Sequence, residues 1–297
     1  KQQVEDYEVL EYSKSGSFVD FLSDLVQETS IKRLGFEENI ITYSIYKLYK
    51  SKVNCDFIPM HGIVEKIRII KDDEELKLIK SAAEIADKAF AHMIDYIKPG
   101  MTEIQIGLEL EFYMKKLGAS DLSFPSIVAS GVRSSLPHGE ATNKVVNRGE
   151  FLTLDFGCIY REYCSDMTRT LVIGKPSDKM VEMYSIVLEA QKLALKEYKP
   201  GVPAMEVDAV ARNYISNRGY GEYFGHSLGH GVGREIHESP VIGYRNKSKL
   251  VENMVVTDEP GIYIPDFGGL RIEDLLVVTK DGGKVLSKSP KEMICIG

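Results

Sequence analysis

Apolar residues in the first part of the chain follow two different periods. Tyr7–Tyr12 and Ile31–Phe36 read as short extended runs, while Ser17–Gln27 and Asn39–Tyr49 place apolar residues at helical spacing. Their alternation predicts an α/β layout. A strand-like run, Val64–Ile70, follows. Lys71-Asp72-Asp73-Glu74-Glu75 then has the acidic character of a helix start, with helical apolar spacing up to Ile97. The domain boundary is placed near residue 72, which divides the chain into 1–71 and 72–297.

Beyond that boundary the pattern repeats. Ile97-Lys98-Pro99-Gly100 returns as Tyr198-Lys199-Pro200-Gly201, each copy joining two helical segments, and the second helices stop at Gly118 and Gly219. Both glycine pairs are offset by 101 residues. Thr102 and Gln105 form a capping-box signature for the first of these helices, and Pro203 opens its counterpart.

After its helices each half predicts a β-hairpin with two acids. In the first, Thr153-Leu154-Asp155-Phe156-Gly157 returns through Ser165-Asp166-Met167-Thr168, and a turn centred on Tyr160-Arg161 sets Asp155 opposite Asp166. In the second, a turn through Pro265-Asp266-Phe267-Gly268-Gly269 sets Glu259 opposite Glu273. Like charges facing each other across a ladder are destabilising. Apolar neighbours such as Leu154, Phe156, Ile272 and Leu275 point to burial of these acids, so a strong cation is expected between the halves.

Composition narrows the field. The 37 Lys and Arg residues against 44 Asp and Glu give a net charge of −7, which disfavours nucleic acid or an anionic membrane as partner. No apolar run is long enough to span a bilayer, and Lys1–Asp6 lack the order of a signal peptide. Cys55, Cys158, Cys164 and Cys295 form no Cys-x-x-Cys pair and read as reduced thiols, which predicts a cytoplasmic address. The start at Lys1, without an initiator Met, points to further residues upstream.

Four carboxylates with imidazoles nearby match the needs of two divalent ions. His138, His226, His230 and His237 stand among glycines or prolines and are the candidates; His61 and His92 are read as structural. His226 and His230 have the spacing of a helical zinc motif, but their flanking glycines oppose a helix and no Glu follows His226.

In order along the chain, Leu154-Asp155-Phe156-Gly157, Ser165-Asp166-Met167-Thr168-Arg169-Thr170, Gly225-His226-Ser227-Leu228-Gly229-His230-Gly231, Glu259-Pro260-Gly261-Ile262-Tyr263 and Arg271-Ile272-Glu273-Asp274 resemble the motifs of the pita-bread metallopeptidases. Methionine aminopeptidase, aminopeptidase P and Xaa-Pro dipeptidase (prolidase) belong to that family. The resemblance covers residues 72–297 and implies an α+β pita-bread (creatinase/aminopeptidase) fold with pseudo-two-fold duplicated helix–hairpin halves. A partial α/β creatinase-type N-terminal domain would precede it, most of its first half lying upstream of Lys1. One departure is Asn253-Met254, where the family usually has Gly-Met.

Carried over by motif, Asp155 would chelate a first metal ion, Asp166 and Glu273 would bridge two, and His230 with Glu259 would complete the second. Glu259 would also pass a proton to the leaving amine. His138 and His237 would face the substrate, His226 would flank the bound residues, and Arg271 would organise carboxylate ligands or meet a substrate carboxylate. The implied cofactor is a pair of divalent ions, manganese ahead of cobalt, iron or zinc. The implied reaction is hydrolysis of Xaa-Pro bonds at the N-termini of short proline-containing peptides, by a homodimeric aminopeptidase or dipeptidase. A methionine aminopeptidase would not need the α/β segment in front, and a metal-free creatinase-like enzyme would not keep all five ligands. A non-catalytic peptide-binding module on the same fold would lose ligands or add charged tails.

Overall fold

The computed structural model describes residues 7–12 and 16–297. Lys1–Asp6, read above for the absence of a leader pattern, lies outside them. The chain forms two compact units, Lys1–Lys66 and Ile67–Gly297.

In the first unit, α1 (Phe18–Glu28) begins at a capping box between Ser17 and Asp20. It is followed by β1 (Arg33–Glu37), α2 (Tyr43–Lys52) with Thr42 as its N-cap, and β2 (Asp56–Met60). β1 and β2 pair in parallel, which requires the crossover that α2 supplies. Val19, Val26, Val53 and Phe57 form the buried core. Two expectations fail here. Tyr7–Tyr12 forms no strand, and most of Val64–Ile70 lies in a helix, α3 (Ile63–Arg68). Ile63, Val64 and Ile67 fall three and four apart, so this short β-branched run fits a helical face as well as a strand. β2 escaped notice because Pro59 argues against a strand.

The second unit repeats one motif. In the first half come α4 (Asp73–Tyr96), α5 (Glu103–Lys116), β3 (Asp121–Leu122), β4 (Ile127–Ser130), a 3-10 turn (Gly131–Ser135), β5 (Glu150–Phe156), β6 (Cys158–Tyr160), β7 (Tyr163–Cys164) and β8 (Met167–Ile173). In the second come α6 (Asp178–Leu195), α7 (Ala204–Asn217), β9 (Gly229–Gly231), β10 (Glu238–Ile242), β11 (Val255–Asp258), β12 (Gly261–Ile264), β13 (Gly268–Arg271), β14 (Asp274–Thr279) and β15 (Gly282–Val285). A last strand, β16 (Cys295–Ile296), returns to the first half and pairs in parallel with β8. α5 and α7 both begin and end 101 residues apart, and Gly100, Gly201, Gly118 and Gly219 all take the positive φ that ends or turns each helix.

Each half has its own core. Leu152, Leu154, Phe156 and Leu171 of β5 and β8 turn toward α4 and α5, whereas Phe151 and Val172, one position out of phase, join the core built on α6 and α7. The sheets run β16-β8-β5-β4 and β10-β9-β11-β14-β15. Asn253, at the entry to β11, has φ of 69°, a left-handed conformation that Asn tolerates in place of Gly.

The hairpin registers differ from expectation in one half only. Val255–Asp258 pairs with Asp274–Val277, and Gly261 with Arg271, so Glu259 and Glu273 do fall opposite each other, in a gap between two ladders. In the first half, however, Asp155 pairs with Thr168, not Asp166. Arg161 and Glu162 carry the positive φ angles of the turn, one residue later than assumed. Asp166 therefore stands just ahead of β8.

Candidate metal centre

All nine side chains singled out from the sequence line a single cavity of about 460 Å³ in the second unit. Asp155 stands near the end of β5 and Asp166 just before β8; Glu259 follows β11, Glu273 precedes β14, and His230 lies on β9. β9 is a strand pressed against β11: a side chain at Gly229 would overlap the Thr257 carbonyl, so the glycines beside His230 permit the approach that a helical zinc motif would not.

The ligand-type atoms of Asp166, His230 and Glu273 lie within 4.8 Å of one another. His230 Nε2 is 3.5 Å from Asp166 Oδ2 and 3.4 Å from Glu259 Oε1. Its Nδ1 lies 3.0 Å from the Gly231 carbonyl, so the Nδ1–H tautomer leaves the Nε2 lone pair free for a metal. Asp155 is held through Oδ2 by Arg271 Nη2 at 2.5 Å, while its buried Oδ1 has no hydrogen-bond partner among the described residues.

The electrostatics are lopsided. Against Asp155, Asp166, Glu259 and Glu273, Arg271 is the one guanidinium or ammonium among the described lining residues. Burial, followed by neighbouring carboxylates, pushes the Asp166 and Glu273 carboxyls well above their usual range. Burial raises Glu259 to about 7 despite Arg271. Buried carboxylates crowded this way remain ionised only beside strong positive charge. An oxygen-rich set with one imidazole and an unpartnered buried oxygen therefore fits hard or borderline divalent ions.

Two threonines and a tyrosine that the sequence left without roles complete the frame. Thr168 Oγ1 donates to Glu273 Oε2 at 2.6 Å and accepts from Arg271 Nε at 3.0 Å. Thr257 Oγ1 donates to Glu259 Oε1 at 3.1 Å and accepts the His230 N–H at 3.0 Å. Tyr263 OH accepts from Arg271 Nη1 at 2.6 Å and lies 2.9 Å from His226 Nε2. Thr168 was recoverable, since it shares the β8 face that meets Asp155. The apolar wall of Phe124, Pro125, Ile236 and Val241 carries no comparable signal.

The histidines are held differently. His226 uses both nitrogens, Nδ1 toward the Ser227 carbonyl at 2.8 Å and Nε2 toward Tyr263, and burial followed by Arg271 lowers it to about 3; it is a neutral imidazole. Its loop is fixed by Arg212, which donates to the His226 carbonyl while paired with buried Asp208 of α7. His138 follows the 3-10 turn, in a segment gathered by buried Glu103 of α5 through Ser130, Arg133 and Thr142. Arg271 donates to the Pro137 carbonyl beside it at 3.3 Å. His237 is exposed to the cavity, its ring edge-on to His230 at 4.4 Å.

A duplicated α+β scaffold with carboxylates and histidine gathered in one cleft defines a metallohydrolase. Residues 77–280 match metallopeptidase family M24, and residues 1–70 match the creatinase/prolidase N-terminal domain. The chain belongs to metallopeptidase family M24. It is similar to an Xaa-Pro dipeptidase of Pyrococcus horikoshii, at 47% identity over 89% of this chain and 75% of that protein. Among solved structures, an Xaa-Pro dipeptidase from Bacillus anthracis superposes with a TM-score of 0.96, at 51% identity over 99% of this chain and 82% of that one. An X-Pro aminopeptidase from Thermotoga maritima gives 0.95, at 45% identity over 99% and 84%. Among the described residues, no helix is long and apolar enough to cross a membrane.

Proposed function

We propose that this peptidase hydrolyses Xaa-Pro bonds at the N-termini of short peptides, using two divalent ions held by Asp155, Asp166, His230, Glu259 and Glu273. One observation carries the reading: the five proposed ligands, from both halves, line one cavity, with their four carboxylates opposed by a single guanidinium and one buried oxygen, Asp155 Oδ1, left without a hydrogen-bond partner among the described residues. The proline preference is supported by the names of the similar proteins, which include both dipeptidases and an aminopeptidase. Manganese is the proposed metal because oxygen donors dominate the set.

Divalent ions bound there supply Lewis acidity toward a carbonyl and make water a nucleophile at neutral pH. The chain's own residues do the rest. Glu259, with a carboxyl near 7, is suited to pass a proton to the departing amine. His138 and His237 face the cleft, where they steady the developing oxyanion or the peptide amine. His226, kept neutral by burial and held by Tyr263, flanks the bound residues, and Arg271 orients Asp155. The catalytic domain is taken to begin at residue 72, between the two family matches. A cytoplasmic homodimer is proposed with it, the address supported by four unpaired cysteines.

The test compares an Xaa-Pro dipeptide with an Xaa-Pro-Yaa-Yaa peptide, with manganese and after chelation, while metal content is measured by elemental analysis. Manganese-dependent release of the N-terminal residue is expected, with about two ions per chain. Cleavage that survives chelation, or no cleavage of either peptide, overturns the proposal. The ratio of the two rates separates dipeptidase from aminopeptidase.

A further inference from the structure

Lys71 is one of the largest fully buried side chains in the protein, and the proposed chemistry does not use it. Its Nζ donates to Glu238 Oε2 at 3.0 Å, and Arg68 Nη2 donates to Glu238 Oε1 at 2.5 Å. The Glu235 N–H adds a third donor, to Oε1 at 3.2 Å. Only 1% of the Lys71 side chain and 7% of the Glu238 side chain are exposed. A buried ion pair adds little net stability, yet losing one partner strands the other, so its main effect is to fix a geometry.

The geometry it fixes is that of His237. Among the described residues none hydrogen-bonds the His237 ring, in contrast with His226 and His230, so its placement depends on its backbone. Glu238 is the next residue and opens β10. His237 is the last residue of the bend that enters β10, so a Glu238 held in the clasp pins the backbone from which His237 reaches the cavity. The turn ahead of it is shaped for the same contact. A Cβ at Gly233 would stand 2.5 Å from the Glu238 carboxylate, and the Gly233 carbonyl accepts from Cys164 N–H at 2.8 Å. Lys71 is itself anchored, its N–H donating to the Asn253 carbonyl at 3.0 Å at the entry to β11.

We propose that Lys71 and Arg68, acting through Glu238, are positioning residues for His237: the segment leading into α4 holds this histidine in register with the metal-ligand set. The proposal rests on the reading of His237 as a substrate-side group. It is tested in the manganese-loaded protein with Lys71→Met, Glu238→Gln, His237→Ala and the double variant Lys71→Met/His237→Ala. Lys71→Met is expected to lower kcat/KM for an Xaa-Pro peptide about tenfold at full metal content. The double variant should be no worse than His237→Ala alone, because both changes remove one function. Losses that multiply overturn the proposal. An arm independent of turnover follows the histidine ring signals by NMR, with His237 identified by its disappearance in His237→Ala. In Lys71→Met the His237 signal should move while that of His92 stays; an unmoved signal overturns the proposal. Should Lys71→Met fail to fold, Glu238→Gln, which keeps the side-chain shape, carries both arms. If the wild-type protein cleaves no Xaa-Pro peptide, the proposed function fails and the NMR arm alone decides the clasp.

Discussion

The two halves of the catalytic unit share their second helix to the residue but not their chemistry. Each second helix presents a buried acid that gathers a histidine-bearing segment, Glu103 for His138 and Asp208, with Arg212, for His226. The hairpins diverge. The first keeps Asp155 inside the seven-residue β5–β8 ladder and breaks beside Asp166 before resuming as β6 and β7, whereas the second breaks at Glu259 and Glu273 and resumes as β12 and β13. Arg271 and three of the four candidate histidines come from the second half alone. Duplication thus supplies two matching frames, and a break in each hairpin opens the place where carboxylates of both halves meet.

The largest expected effect follows from that meeting. Carboxyls raised in the folded state stabilise the fold while protonated and lose that contribution as pH climbs through the folded value. In metal-stripped protein, stability should therefore fall as pH rises from about 4.5 through about 7, by roughly 3 kcal/mol shared among Glu259, Asp166 and Glu273, whose shifts all act in this direction. Denaturant titrations of stripped protein at pH 5 and pH 8 check this, and manganese should cancel the fall. A flat profile would mean that the halves do not press their charges together.

A middle-sized effect distinguishes the threonines. Thr168 joins Glu273 and Arg271 across the halves, whereas Thr257 serves Glu259 and His230 within one half. Thr168→Val should weaken manganese binding by about 10- to 100-fold, and Thr257→Val by less. Calorimetric titration measures both, and equal losses would remove the special status of the joint between halves.

The smallest effect tests the frames themselves. Thr102 caps α5 through a complete capping box, while Pro203 opens α7 with no side-chain hydrogen bond. Thr102→Ala should cost about 1 kcal/mol in urea unfolding, and Pro203→Ala less. Equal costs would show that the capping box contributes nothing beyond its backbone.

How much of this was legible in the sequence depended on the kind of signal. Glycines forced to positive φ and a capping box mark helix ends locally, so the repeat of 101 residues could be read directly. Register is less forgiving. The second hairpin was placed correctly because Pro265 and Gly268 confine its turn, but the first turn uses Arg161 and Glu162, which carry no left-handed preference, and the shift moved Asp166 off its assumed partner. The α3 segment failed for a related reason, a β-branched run too short for its period to decide. Lys71 and Glu238 were invisible as a pair, since 167 residues separate them and neither sits in a motif that names the other.

The pairing of β16 with β8 has a consequence for synthesis. The edge of the first sheet is completed by Cys295 and Ile296, and Arg169 of β8 is satisfied partly by the carbonyls of Ser289 and Pro290. A ribosome delivers those partners only after the whole second half has emerged. The earlier half must therefore wait, its guanidinium and strand edge unsatisfied, until nascent chain more than a hundred residues downstream arrives to close it.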